Sequence, residues 1–258
     1  MDKVLHRDRW VVLVALAAVV ALSWAYLAYI VLTQPVMDMD AIAMAAMPPP
    51  VWNAGYFAAT LAMWMVMMVG MMLPSAAPTV LLFDALRIHG DSARRRDRRA
   101  TALFAASYVL AWAAFSVLAT TAQWALTASK LLSAMMTGKS PAFAGSLLMI
   151  AGAYQLTPLK TACLSQCRSP AEFLVRHGRP GPLGPLLMGL QHGVQCIGCC
   201  WALMALLFVG GVMNLAWIAA LSIAVAIEKL APRGERLAAV LGLALIAAGG
   251  WRFLSLAS

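Results

Sequence analysis

Apolar runs long enough to cross a bilayer recur along most of this chain, and no other feature constrains its fold as strongly. A hydrocarbon core of about 30 Å requires about 20 apolar residues of helix. Seven segments approach that length: 10–32, 55–83, 100–126, 141–159, 185–209, 212–228 and 237–254. Inside lipid each segment must satisfy its own backbone hydrogen bonds, so such runs become helices. The expected fold is all-α, a polytopic transmembrane helical bundle forming one integral membrane domain over residues 1–258. A content of 63% hydrophobic and 11% charged residues lies outside the soluble range and agrees. The sixth run follows Gly210 and Gly211 so closely that it is expected to fold back on the fifth as a tight hairpin. The first run, preceded by Lys3, Arg7 and Arg9, exceeds the roughly 7 to 15 residues of a signal-peptide core and is read as a helix.

The basic residues orient the bundle. With the N-terminus cytoplasmic, 16 of the 19 Lys and Arg fall on the inner side, leaving Lys130, Lys139 and Arg252 outside. That bias predicts an inner N-terminus and an outer C-terminus. The net charge of +9 therefore needs no nucleic-acid partner, and the arginines of RRRDRR (94–99) read as orientation and anionic-lipid contacts. TGKSP at Thr137–Pro141 lacks the preceding glycine of a phosphate loop, which removes a nucleotide site. Asp84 and Glu228 fall near inner helix ends, so no carboxylate is expected at the midplane, where a proton-coupled carrier usually needs one. No Ser/His/Asp set is suggested, and no catalytic residue is assigned.

Two segments carry chemistry. In HGVQCIGCCW, His192, Cys196 and Cys200 are spaced i, i+4, i+8 with Cys199 at i+7, so the four share a helical face if Gly193 and Gly198 leave the helix intact. Thiol and imidazole are ligands of soft and borderline metals, and adjacent turns bring them together. Cys163 and Cys167, four apart after the fourth run, are expected at the cytoplasmic mouth, where they could exchange metal with the buried set. In AMWMVMMVGMMLPS, Met63, Met67 and Met71 form one stripe and Met65, Met68 and Met72 another, of which one can face the bundle. Such stripes serve packing as readily as ligation. Pro74 cannot bond the carbonyl of Gly70, which predicts a kink with a freed acceptor beside Met71 and Met72. The outer connection adds Met37, Met39, Met44 and Met47, interleaved with Asp38 and Asp40.

MWMVMMVGMMLPS, GAYQLTPLKTACLSQCRSP and HGVQCIGCCWALMALLFVGGVMNLAW followed by EKLAPRG, in this order, resemble the bacterial family of predicted metal-binding integral membrane proteins from about residue 55 onward. The resemblance implies a multi-pass protein of the bacterial inner (cytoplasmic) membrane with metal affinity. It implies no reaction.

Three functions stay open on the residues. The first is a soft-metal protein for transport, delivery or insertion of copper(I), with a metal donor or recipient protein as partner. Met63, Met67 and Met71 would relay the ion, His192, Cys196, Cys199 and Cys200 would hold it, and Cys163 with Cys167 would exchange it. Thioether is a soft donor that suits Cu(I), while zinc fits a Cys3His count. The second is a membrane thiol-disulfide oxidoreductase cycling Cys196 and Cys199. The third is a structural or assembly subunit whose soft side chains only pack.

Overall fold

The computed structural model describes residues 2–33, 50–89, 98–133, 136–138 and 140–257. Met37, Met39, Met44, Met47 and Arg94–Arg96 lie outside the described residues. The described chain is helical: α1 (Asp2–Thr33), α2 (Ala54–His89), α3 (Arg98–Ala128), α4 (Pro141–Gln155), α5 (Pro158–Arg168), α6 (Pro170–His177), α7 (Gly184–Ala205), α8 (Leu207–Gly210), α9 (Leu215–Leu230) and α10 (Gly234–Ala257).

Local sequence explains where the helices begin. Ser140 and Thr157 each precede a proline, and their side chains accept from the backbone N–H of Ala142 and Lys160, capping α4 and α5. Asn53 and Asn214 do the same for α2 and α9, accepting from Tyr56 at 2.8 Å and Trp217 at 3.1 Å. The Gly210-Gly211 break ends α8, with Gly211 at φ 94°, a conformation that disfavours any side chain. Beyond it, the Trp217 indole donates 2.8 Å to the carbonyl of Leu206, holding the start of α9 against the end of α7.

Among the described residues, five helices are long and apolar enough to cross a membrane: Trp10–Thr33, Ala54–Leu86, Arg99–Ala128, Gly184–Gly210 and Gly234–Ser255. The expected fourth run is divided. Pro158 drives Thr157 to an extended conformation, ψ 147°, and α5 leaves α4 at 65°, so the pair counts as a sixth span only if it is one broken crossing. The expected sixth run gives α9, whose 16 residues fall short of that length. Large apolar side chains stand outward on several long helices, among them Leu22 at 71% exposure, Leu118 at 68% and Val194 at 63%. Such a surface is suited to lipid and costly in water.

Small residues bring backbones together. Gly189 and Gly193, one turn apart on α7, face α3: a Cβ on Gly193 would lie 2.5 Å from that of Ala111, and one on Gly189 would run into the carbonyl of Phe104. On α4 and α10, Gly152 and Gly242 face one another at equal cost, a Cβ on either coming within 2.9 Å of the other's carbonyl oxygen. Helix α2 runs through Pro74 and Pro78. The carbonyl of Gly70 freed by Pro74 accepts from the Trp24 indole of α1 at 3.3 Å. Three helices that carry soft donors, α2, α5 and α7, thereby enclose one interior with α9 at its side.

Candidate metal centre

Helix α7 is unbroken through Gly193 and Gly198, so the spacing of its soft residues becomes geometry. His192, Cys196, Cys199 and Cys200 are all buried, at 2% exposure or less. The Cys196 thiol is the hub. Lys229, at the last turn of α9, donates to its Sγ at 2.9 Å and to Ser75 Oγ at 3.2 Å. Tyr108 of α3 reaches the same sulfur at 3.0 Å and donates to the Met72 carbonyl at 3.2 Å. Cys167 of α5 is buried on the side of its helix that packs against α7, near Cys196 and Cys199.

A thioether completes the group. Cys200 Sγ lies 3.8 Å from Met72 Sδ, and Met72 is fully buried. Metal–sulfur bonds of about 2.3 Å meeting at 109–120° separate the two sulfurs by about 3.8–4.0 Å, so the pair already stands at the spacing of two ligands on one ion. The remaining thiols are turned inward: Cys199 and Cys200 donate to the Cys196 carbonyl at 3.1 and 3.0 Å. Among the described residues, no three His, Cys, Asp or Glu side chains converge as they stand into a ready cage for a metal ion. Ligation by Cys199 and Cys200 gives up these two bonds to the Cys196 carbonyl, at about 1 kcal/mol each, and Cys199 must turn about its Cα–Cβ bond to join the Cys200–Met72 pair. All five cysteines are free thiols.

Of the two thiols on α5, Cys163 is half-buried and Cys167 buried. The bend after α4 turns α5 along α7, so that Cys163 lies against Gly198, whose absent Cβ would be 2.8 Å from its sulfur, and Cys167 lies near the hub. Tyr154 of α4 donates a hydrogen bond to the Gly198 carbonyl, tying the three elements at that level. His192 stands apart from the thiols, among the rings of Phe104, Tyr108 and Phe173, and makes no hydrogen bond to them. Met63, Met67 and Met71 are buried in the core, and so are Met68 and Met72 of the other stripe; Met65 alone of the six is exposed, at 37%. Period alone could not say that Met72 is the thioether at the thiols.

Charge is arranged around the hub with few partners. Glu228 is buried and accepts 2.6 Å from Lys160 Nζ and 2.5 Å from Gln155 Nε2. Its neighbour Lys229 is directed to sulfur instead. Sequence reasoning missed Lys229, Tyr108, Ser75 and Met72.

The donor set of four buried thiols and a thioether suits a soft monovalent cation over hard cations, which demand oxygen. Comparison with curated proteins and with solved structures finds no match. A family model described as PpoB2, copper chaperone, matches residues 61–252, from the methionine-rich half of α2 to the end of α10. Over those residues, which hold every thiol and the thioether against them, the chain belongs to the PpoB2 family of copper chaperones.

Proposed function

We propose that this protein holds copper(I) in the interior of a membrane-embedded bundle, on thiolates drawn from Cys167, Cys196, Cys199 and Cys200 with Met72 as thioether donor, and hands it to a partner protein. The carrying observation is the contact of buried sulfur across helices, Met72 Sδ of α2 3.8 Å from Cys200 Sγ of α7, beside the buried Cys167 of α5. Cys163, at the edge of the same group, is the exchange thiol, and Met63, Met67 and Met71 on α2 are the approach stripe. The bundle crosses the bacterial inner membrane with α9 and the bent α4–α5 pair completing about seven crossings, N-terminus inside and C-terminus outside.

Charge supports copper(I) as the cargo. Two thiolates and one Cu(I) carry a net charge of −1, and in a low-dielectric interior that surplus must be offset. Glu228 is taken by Lys160, so the Lys229 ammonium beside Cys196 is the counter-charge. Zinc would prefer four thiolate or imidazole ligands and gains little from a thioether.

The test is metal analysis of full-length protein purified after growth with added copper. Wild type is expected to hold stoichiometric copper, and the Cys196→Ser, Cys199→Ser, Cys200→Ser triple variant to lose the sulfur-bound ion and so hold less. Copper that is absent from wild type, or unchanged in the triple variant, refutes the reading. A redox role for Cys196 and Cys199 predicts instead that both thiols resist alkylation in cells until reductant is added.

A further inference from the structure

Along α7, a second group of soft donors stands before the thiols. His192, one turn ahead of Cys196, is 2% exposed, and its Nδ1 is buried without a hydrogen-bond partner. The imidazole is enclosed by rings: Phe173 at 4.9 Å between centroids, Tyr108 at 5.5 Å and Phe104 at 6.2 Å. Met188, a further turn back and 5% exposed, packs in one cluster with Phe104 and Phe173.

A buried imidazole nitrogen without a partner is a net cost to folding, and native structures keep few such atoms without a reason. Aromatic walls do not satisfy a nitrogen lone pair. They present negative faces to a cation and exclude the water that a hydrated divalent ion would bring. A neutral imidazole and a thioether are both donors to Cu(I).

We propose that His192 and Met188 form a second copper(I) station, walled by Phe104, Tyr108 and Phe173 and distinct from the thiol centre. Residues 188, 192, 196 and 200 then carry four soft donors at successive i+4 positions, each about 6 Å of helix rise from the next. An ion passing along this ridge exchanges one ligand at a time. The proposal rests on the copper reading above, yet fails separately from it.

The experiment titrates Cu(I) into full-length protein in lipid nanodiscs against a chromophoric chelator, with X-ray absorption at one and two equivalents. Wild type is expected to take two ions, the first in a sulfur shell and the second with imidazole scattering. His192→Phe and, independently, Met188→Leu should each reduce the count to one. The Cys196→Ser, Cys199→Ser, Cys200→Ser variant should keep one ion with imidazole scattering. Saturation of wild type at one sulfur-bound ion, or two ions retained in both His192→Phe and Met188→Leu, overturns the second station and leaves the thiol centre standing. Binding by the triple variant equal to wild type overturns the thiol centre, and no binding by wild type overturns both.

Discussion

Replacing Met72 by leucine separates ligation from packing. Met72 is fully buried on α2, so a change of volume there would be felt, but Met→Leu conserves volume and usually costs less than about 1.5 kcal/mol. What it removes is the sulfur 3.8 Å from Cys200. Because that distance matches the span of two sulfurs on one ion, the ligand forms without movement of α2, and its loss is a loss of bond energy rather than of preorganisation. Losing one weak thioether donor from a three-coordinate site should lower Cu(I) affinity by about tenfold, equivalent to about 1.4 kcal/mol. The assay is chelator competition in nanodiscs, with thermal unfolding of the metal-free protein alongside. Met67→Leu, equally buried on the other stripe, is the control and should leave affinity within about twofold. Equal affinity in Met72→Leu and Met67→Leu would refute the reasoning and return the α2 methionines to packing.

Three further outcomes follow from the packing. Glu228→Gln leaves Lys160 charged and buried, at 1% side-chain exposure, and should destabilise the bundle by about 3–5 kcal/mol in denaturant unfolding, while the Glu228→Gln, Lys160→Met double variant recovers most of it. If the double variant is no more stable than the single one, the pair is not the unit described. Gly152→Val forces α4 off the carbonyl of Gly242, which a Cβ would approach to 2.6 Å, and should cost at least about 1–3 kcal/mol; wild-type stability would contradict the close α4–α10 contact. His192→Leu relieves an unpartnered buried nitrogen and should leave metal-free stability equal or raised by about 1 kcal/mol, whereas a large loss would mean that the ring has a partner.

Much of the helical architecture was legible because lipid permits few alternatives. The run at 185–209 became α7 and α8 within a residue or two, and its i, i+4, i+8 spacing delivered Cys196 and Cys200 to one interior. Pro74 foretold the freed Gly70 carbonyl, although not that Trp24 would bind it. What stayed hidden depended on tertiary placement. Hydropathy joined α4 to Pro158 and Leu159, but the restraint that Pro158 places on Thr157 bends the chain by 65°, sets Cys163 against Gly198 and buries Cys167. The two methionine stripes are equivalent by period, so only the position of α7 singles out Met72. Lys229 read as a flanking charge for orientation, yet it is buried beside a thiol 33 residues away in sequence. Buried charges of this kind also weaken a count of flanking basic residues, since Lys160 and Lys229 belong to the core.

The central claim is that sulfur from α2, α5 and α7 meets around a single ion. X-ray absorption at the copper edge, on full-length protein loaded with one equivalent of Cu(I), tests it most directly. The account predicts a shell of sulfur alone, at about 2.3 Å, that loses a scatterer in Cys167→Ser and in Met72→Leu. A first shell of nitrogen or oxygen, or a sulfur shell unchanged by both substitutions, would contradict it.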